Sequence, residues 1–146
     1  MAQHVRDVMT TDLVTVEPQT SVTAVAEMMR DEDVGAVLVT DGDQLRGLVT
    51  DRDLVVRSVA AGHDPGSTTV IDACSDEMIT VGPGDDLEHA VDVMREHSVR
   101  RVPVVDQKQH AVGVVSLGDL AIERDPHSAL GDISGPVPTP DVPPGQ

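Results

Sequence analysis

The 146-residue chain contains no phenylalanine, tyrosine or tryptophan. Without aromatic rings it builds neither a cation cage nor a platform on which nucleic-acid bases stack. Its one cysteine, Cys74, excludes an intrachain disulfide and a thiolate metal cluster, and fits a reducing compartment. Ten basic residues, Lys108 the only lysine among them, stand against 26 acidic ones, for a formal charge of −16. Such a surface repels a phosphate backbone or an anionic membrane, so neither a nucleic acid nor a membrane is expected as a partner. No apolar run approaches the roughly eighteen residues a membrane span needs, and no basic leader precedes an apolar segment, so the expected location is cytoplasmic. No carboxylate falls in a motif with a nucleophile, a glycine-rich loop before a lysine, or a metal triad. The expectation is therefore a protein that is not an enzyme, with no metal site and no required cofactor.

The apolar fraction is still 39%. Valine dominates it, so the core is built from small, branched side chains.

The chain repeats itself. A shift of 65 places Asp7 on Asp72, Thr15-Val16 on Thr80-Val81, Pro18 on Pro83, Met29-Arg30 on Met94-Arg95, and Val37 on Val102. One extra residue near 107–111 makes the shift 66, after which Gly47, Val49, Asp53 and Leu54 fall on Gly113, Val115, Asp119 and Leu120. Within the first copy, Leu13 to Val16 reads as a short strand closed by Pro18. Ser21 to Asp31 has helical apolar spacing, and Ala36–Val39 and Leu45–Thr50 are strands around the turn Asp41-Gly42-Asp43. A helix from Asp51 to Ala61 stops at Gly62. The second copy gives a strand Ile79–Val81 and a helix from Asp86 to Glu96, with Asp85 and Glu88 spaced for a capping box. Strands Val102–Val105 and Ala111–Ser116 and a helix Leu117–Glu123 complete it.

Each copy is thus β-α-β-β-α. At about 60 residues neither buries much surface alone, so the expected fold is α/β (α+β), two units packed through their sheets with pseudo-two-fold symmetry. The boundaries are 5–62 for the first unit, 63–72 for a linker, 73–125 for the second unit, and 131–146 for a disordered tail holding five of the ten prolines.

The strand-to-helix junctions Gly47-x-x-Thr50-x-x-Asp53 and Gly113-x-x-Ser116-x-x-Asp119 carry the most information. A hydroxyl followed three residues later by an acid caps a helix. The same helix opening offers amides and a hydroxyl to a phosphate, while the acid can accept hydrogen bonds from a ribose diol. Both readings use the same atoms. Cys74 falls on Met9 in the repeat and reads as a small packed hydrophobe, though convergence with distant histidines on a metal stays open.

These junctions, the Asp7-Val-Met-Thr10 opening, the Arg101-Val-Pro-Val-Val-Asp106 segment and the doubled unit resemble a tandem pair of CBS (cystathionine-beta-synthase-type) domains of the stand-alone bacterial kind. The resemblance covers roughly Val5 to Glu123. It implies a non-catalytic regulatory or sensor module that binds an adenosine-containing ligand (AMP, ADP, ATP or S-adenosylmethionine) in clefts between the units. By that resemblance Thr50 and Ser116 touch phosphate or ribose, and Asp53 and Asp119 hold the ribose hydroxyls. Adenine would lie against the stretches containing Thr15 and Val16, and Thr80 and Val81, with Val37, Leu38, Val102 and Pro103 lining the same clefts. Arg52 could reach a phosphate in the Thr50 site; its counterpart is Gly118, so the Ser116 site would need Arg100, Arg101 or Arg124. The net charge opposes a polyphosphate unless a local basic cluster offsets it. The resemblance also implies a homodimer formed through helices, and an output passed to an unknown regulatory protein partner. The rival reading is a structural or protein-interaction member whose clefts bind no nucleotide.

Overall fold

The computed structural model of the protein describes residues 3–74 and 78–124. In the first repeat, β1 (Thr15–Val16) precedes α1 (Val22–Glu32), then β2 (Ala36–Asp41), β3 (Gln44–Thr50) and α2 (Asp51–Asp53), which runs on as a π-helical turn over Leu54–Val59. In the second, α3 (Val70–Ala73) leads to α4 (Leu87–His97), β4 (Arg101–Val105), β5 (Ala111–Ser116) and α5 (Leu117–Arg124). The first sheet runs β1-β2-β3, parallel then antiparallel. Among the described residues the second consists of β4 and β5. The strand expected at Ile79–Val81 is reduced to one parallel bridge, Val81 with Val104, held by the Val81 amide on the Pro103 carbonyl and the Val105 amide on that of Val81.

Local chemistry accounts for the element ends. Ser21 caps α1, its hydroxyl accepting from the Ala24 amide at 3.1 Å. The Asp85–Glu88 capping box expected at α4 does not form. The N-cap is Asp86, which makes no side-chain cap bond, and Asp85 closes the preceding turn by accepting from the Gly82 amide at 2.7 Å. α1 and α4 both end in left-handed residues, Asp33 and Ser98, at equivalent positions of the repeat. Gly42 takes the positive φ that the two-residue β2–β3 turn needs. The β4–β5 connection, residues 106–110, carries the one-residue insertion of the second repeat. There the Asp106 carboxylate accepts from the amides of Lys108 and His110, both at 2.9 Å.

Three apolar clusters hold the molecule together. Leu38, Leu45 and Val105, with Leu13, Leu48, Ala111 and Val114 against them, lie between the two sheets. A second cluster fills the first unit, from Val16 and Val25 to Val37 and Val49, but it also contains Val70, Ala73 and Cys74. The third fills the second unit around Val81, Val102, Val104 and Val115, and contains Val5. Each unit therefore lends its opening segment to the other unit's core. The backbone repeats this crossing: the Val5 amide donates to the Asp85 carbonyl at 2.9 Å and the Val70 amide to the Thr20 carbonyl at 2.7 Å, two bonds related by the 65-residue shift. The bridges His4–Asp86 and Ser21–Thr69 are related in the same way. These paired bonds are the pseudo-two-fold in atomic terms.

The stretch 63–72, linker-like in composition, is accordingly not slack throughout, since Val70 is fully buried. Glycines mark the crossing points. A Cβ on Gly113 would lie 2.6 Å from Met9 Sδ and 3.1 Å from the Thr10 carbonyl oxygen, and one on Gly47 would lie 3.2 Å from Cys74 Sγ. The expected tail 131–146 lies outside the described residues.

Candidate functional site

The pseudo-symmetry produces two clefts at the strand-to-helix junctions, each built from both units. The larger, about 710 Å³, joins Thr50 and Asp53 of the first unit to Met78, Ile79 and Pro103 of the second. The smaller, about 260 Å³, joins Ser116 and Asp119 of the second unit to Leu13, Val14 and Leu38 of the first. Thr50 and Asp53 thus face the second unit's first-strand region rather than their own.

Of the residues singled out from sequence, Thr50, Arg52, Asp53, Arg101 and Pro103 line the larger cleft. Ser116, Asp119, Leu38 and again Arg101 line the smaller. Thr15, Val16, Val37, Thr80, Val81 and Val102 line neither: Val16, Val37, Val81 and Val102 are buried in the two unit cores. Strand pairing explains the displacement. Thr15 and Val16 lie alongside Leu38 and Val39 within the sheet, which leaves Leu13 and Val14 at the sheet end that borders the cleft. In the second unit the equivalent lining residues are Met78 and Ile79. Arg100, assigned from sequence to help Ser116, lines the Thr50 cleft instead; the Arg124 side chain lies outside the described atoms. The sequence reading did not single out Arg57, which extends from the π-helical turn into the larger cleft, nor Asp12 in the smaller.

Both hydroxyl–acid pairs form reciprocal caps. Asp53 Oδ2 accepts from the Thr50 amide at 2.9 Å and Thr50 Oγ1 from the Asp53 amide at 3.1 Å; Asp119 and Ser116 repeat the two distances. The amides of the first junction are largely taken, contrary to the expectation that they face a ligand. The Asp51 amide donates to the Gly35 carbonyl and the Arg52 amide to Asp51 Oδ1. At the second junction the Leu117 amide donates to the Arg100 carbonyl, but Leu117 has no side-chain acceptor with which to close the Gly118 amide. Each capping hydroxyl accepts one bond and keeps its own proton to donate. Asp53 Oδ1 lies 3.6 Å from Arg57 Nε.

Neither cleft is filled by its own walls: Val16 and Met29 point into the first core. In the first unit's core, the Cys74 thiol is pushed up to about 11, first by burial and then by the nearby Asp53 charge, with Arg57 acting in the opposite sense. Among the described residues no three histidine, cysteine or acidic side chains gather as a metal site, and no helix is long and apolar enough to cross a membrane.

The sequence model of the CBS domain matches this chain twice, over residues 5–59 and 70–124. The chain belongs to the CBS-domain family. Among CBS proteins it is 39% identical over 127 residues to the CBS domain-containing protein YhcV of Bacillus subtilis, an alignment covering 87% of this chain and 89% of that one. It is 36% identical to hypoxic response protein 1 of Mycobacterium tuberculosis, over 86% of this chain and 87% of that one. The crystal structure of hypoxic response protein I with two coordinated zinc ions superposes with a TM-score of 0.76 over 84% of this chain and 99% of that one. The CBS protein CBSX2, solved in complex with AMP, superposes with a TM-score of 0.72 at 27% identity, covering 84% of this chain and 96% of that one.

Proposed function

We propose that this CBS pair is a non-catalytic regulatory module of the cytoplasm that binds an adenosine-containing ligand in the clefts between its units. The observation that carries the proposal is the pair of symmetry-related clefts, each with a hydroxyl and a carboxylate at one wall and an apolar strand end from the other unit opposite. Thr50 and Ser116 are the phosphate or ribose donors in this reading, and Asp53 and Asp119 accept from the ribose hydroxyls. Aliphatic walls such as Ile79 and Pro103 sandwich the base. A nucleotide-bound relative with the same fold supports the ligand class. A ligand that touches both units favours one packing of them over another, and that differential affinity is what a sensor needs.

The signal leaves through oligomeric packing in this reading. Val55, Val56 and Val59, each between 50% and 58% exposed on the same π-helical turn as Arg57, suit a homodimer formed through helices, from which a regulatory protein partner reads the state.

Isothermal titration calorimetry with AMP, ATP and S-adenosylmethionine tests the ligand. Saturable heat with at least one of them, weakened in Asp53→Asn or Asp119→Asn while far-UV circular dichroism is unchanged, is the expected result. No heat with any of the three at millimolar concentration leaves the interaction-protein reading in its place. Sedimentation equilibrium tests the dimer, and a mass of one chain or of six refutes it.

A further inference from the structure

Resting on that ligand class, we infer that the larger cleft is a polyphosphate site, selecting a nucleoside di- or triphosphate over a monophosphate, and that the smaller cleft is not. The chain carries −16 and only ten basic residues, yet four of those ten, Arg52, Arg57, Arg100 and Arg101, line this one cleft. Against them stand Asp51 and Asp53, leaving a local excess of positive charge. Asp53 is already engaged by the Thr50 amide and by Arg57. Among the described residues no carboxylate lies within 4.0 Å of Arg52, Arg100 or Arg101, whereas Arg30, Arg46 and Arg95 on the open surface are each paired. Asp51 Oδ2 and an Arg101 guanidinium nitrogen both flank Gly35, 3.4 and 3.3 Å from where a Cβ would stand, without closing to an ion pair; three arginines that line one cleft and hold no ion pair can all be engaged by an anion with several charges.

The internal repeat supplies the control. The positions equivalent to Arg100, Arg101 and Arg52 are Gly35, Ala36 and Gly118, and the sequence has Glu123 where Arg57 would fall. Among the described residues the smaller cleft accordingly has Asp12 and Asp119 against Arg101, which it shares with its larger neighbour. Its 260 Å³ is below the roughly 300–1,000 Å³ of clefts that enclose small ligands, while 710 Å³ is well inside that range. The net charge of the chain does not cancel the cluster, because fields from remote carboxylates are screened beyond about 8 Å at physiological salt.

Calorimetry on the full chain with adenosine, AMP, ATP and inorganic tripolyphosphate decides it. One ATP per chain, bound about tenfold or more tighter than AMP, with the preference shrinking as salt rises, is expected. Arg100→Gln and Arg52→Gln, both on exposed side chains, then weaken ATP roughly tenfold each and leave adenosine unchanged. Equal affinities for AMP and ATP, or ATP binding indifferent to both substitutions, overturn the inference while leaving the adenosine reading intact. Tripolyphosphate binding as tightly as ATP, with adenosine silent, overturns the adenosine reading and leaves the polyphosphate site standing. Silence with ATP and tripolyphosphate overturns the polyphosphate site.

Discussion

Truncating Val70 tests the exchange of opening segments on which both clefts depend. Val70 belongs by sequence to the second repeat but is fully buried in the first unit's core with Val25, Val37 and Val49. Val70→Ala removes two methyl groups. At about 0.8 kcal/mol each for lost burial, plus a term for the cavity left behind, the expected cost is about 2–3 kcal/mol. For an ordered body of this size that lowers Tm by roughly 6–12 °C. Because the chain has no aromatic residue, melting must be followed by far-UV circular dichroism, and location by hydrogen exchange with mass spectrometry. Exchange should accelerate in 36–50, the β2–β3 hairpin, more than in 101–116. Val5→Ala, the symmetry-related change, should invert that pattern by loosening the β4–β5 hairpin. The segment exchange is refuted if Val70→Ala loosens only the second unit, or if either substitution costs less than about 0.5 kcal/mol.

Gly113→Ala should cost about 1–3 kcal/mol, more than Gly47→Ala, since its new methyl meets Met9 Sδ and the Thr10 carbonyl more closely than the other meets Cys74; Met9→Ala on the Gly113→Ala background should recover part of the loss in urea melts. Ser58 Oγ is buried without a hydrogen-bond partner among the described residues, so Ser58→Ala should raise stability by about 1 kcal/mol, and a drop in the denaturation midpoint would mean that the hydroxyl has a partner. With its thiol near 11, Cys74 should react with a disulfide reagent at pH 8 orders of magnitude more slowly in the native protein than in guanidinium, and equal rates would contradict its burial. The Asp106 carboxyl is held below the usual range by the amides of His110 and Lys108. Its contribution to stability is therefore present above pH 3.8 and lost as pH falls through its folded value, which a carboxyl-carbon NMR titration should place below 3.8.

What could be read from sequence was whatever is local or repeated. The β-α-β-β-α unit, the Ser21 cap and the hydroxyl–acid pairs at Thr50–Asp53 and Ser116–Asp119 follow from spacing within a few residues, and the structure shows them, save that the first strand of the second copy shrinks to the Val81–Val104 bridge. What was not legible is which copy a residue serves. Val5 reads as the opening of its own repeat and Val70 falls in the stretch 63–72 that reads as linker, because nothing in a linear pattern says that a segment crosses to its neighbour's core. Which first-strand residues border the cleft is not legible either. Thr15 and Val16 fit the pattern of a strand, but parallel pairing with Leu38 and Val39 carries them into the sheet and leaves Leu13 and Val14 at the cleft.

The crossing also explains why the sequence places both Arg100 and Arg101 near Ser116 while only Arg101 lines that cleft. Within one repeat they look like neighbours of their own unit's junction. Once each cleft takes its hydroxyl from one unit and its opposite wall from the other, the two arginines that open β4 fall across from Thr50, beside Arg52 and Arg57. A duplicated fold begins with two equivalent sites, and aligned positions that remain small in one copy and become charged in the other show where equivalence has been lost. Here Gly35-Ala36 against Arg100-Arg101 is visible in the sequence, but it becomes a statement about one cleft only when the topology assigns both arginines to the Thr50 side. The repeat therefore fixes the frame of both sites, and the departures from the repeat separate their chemistry.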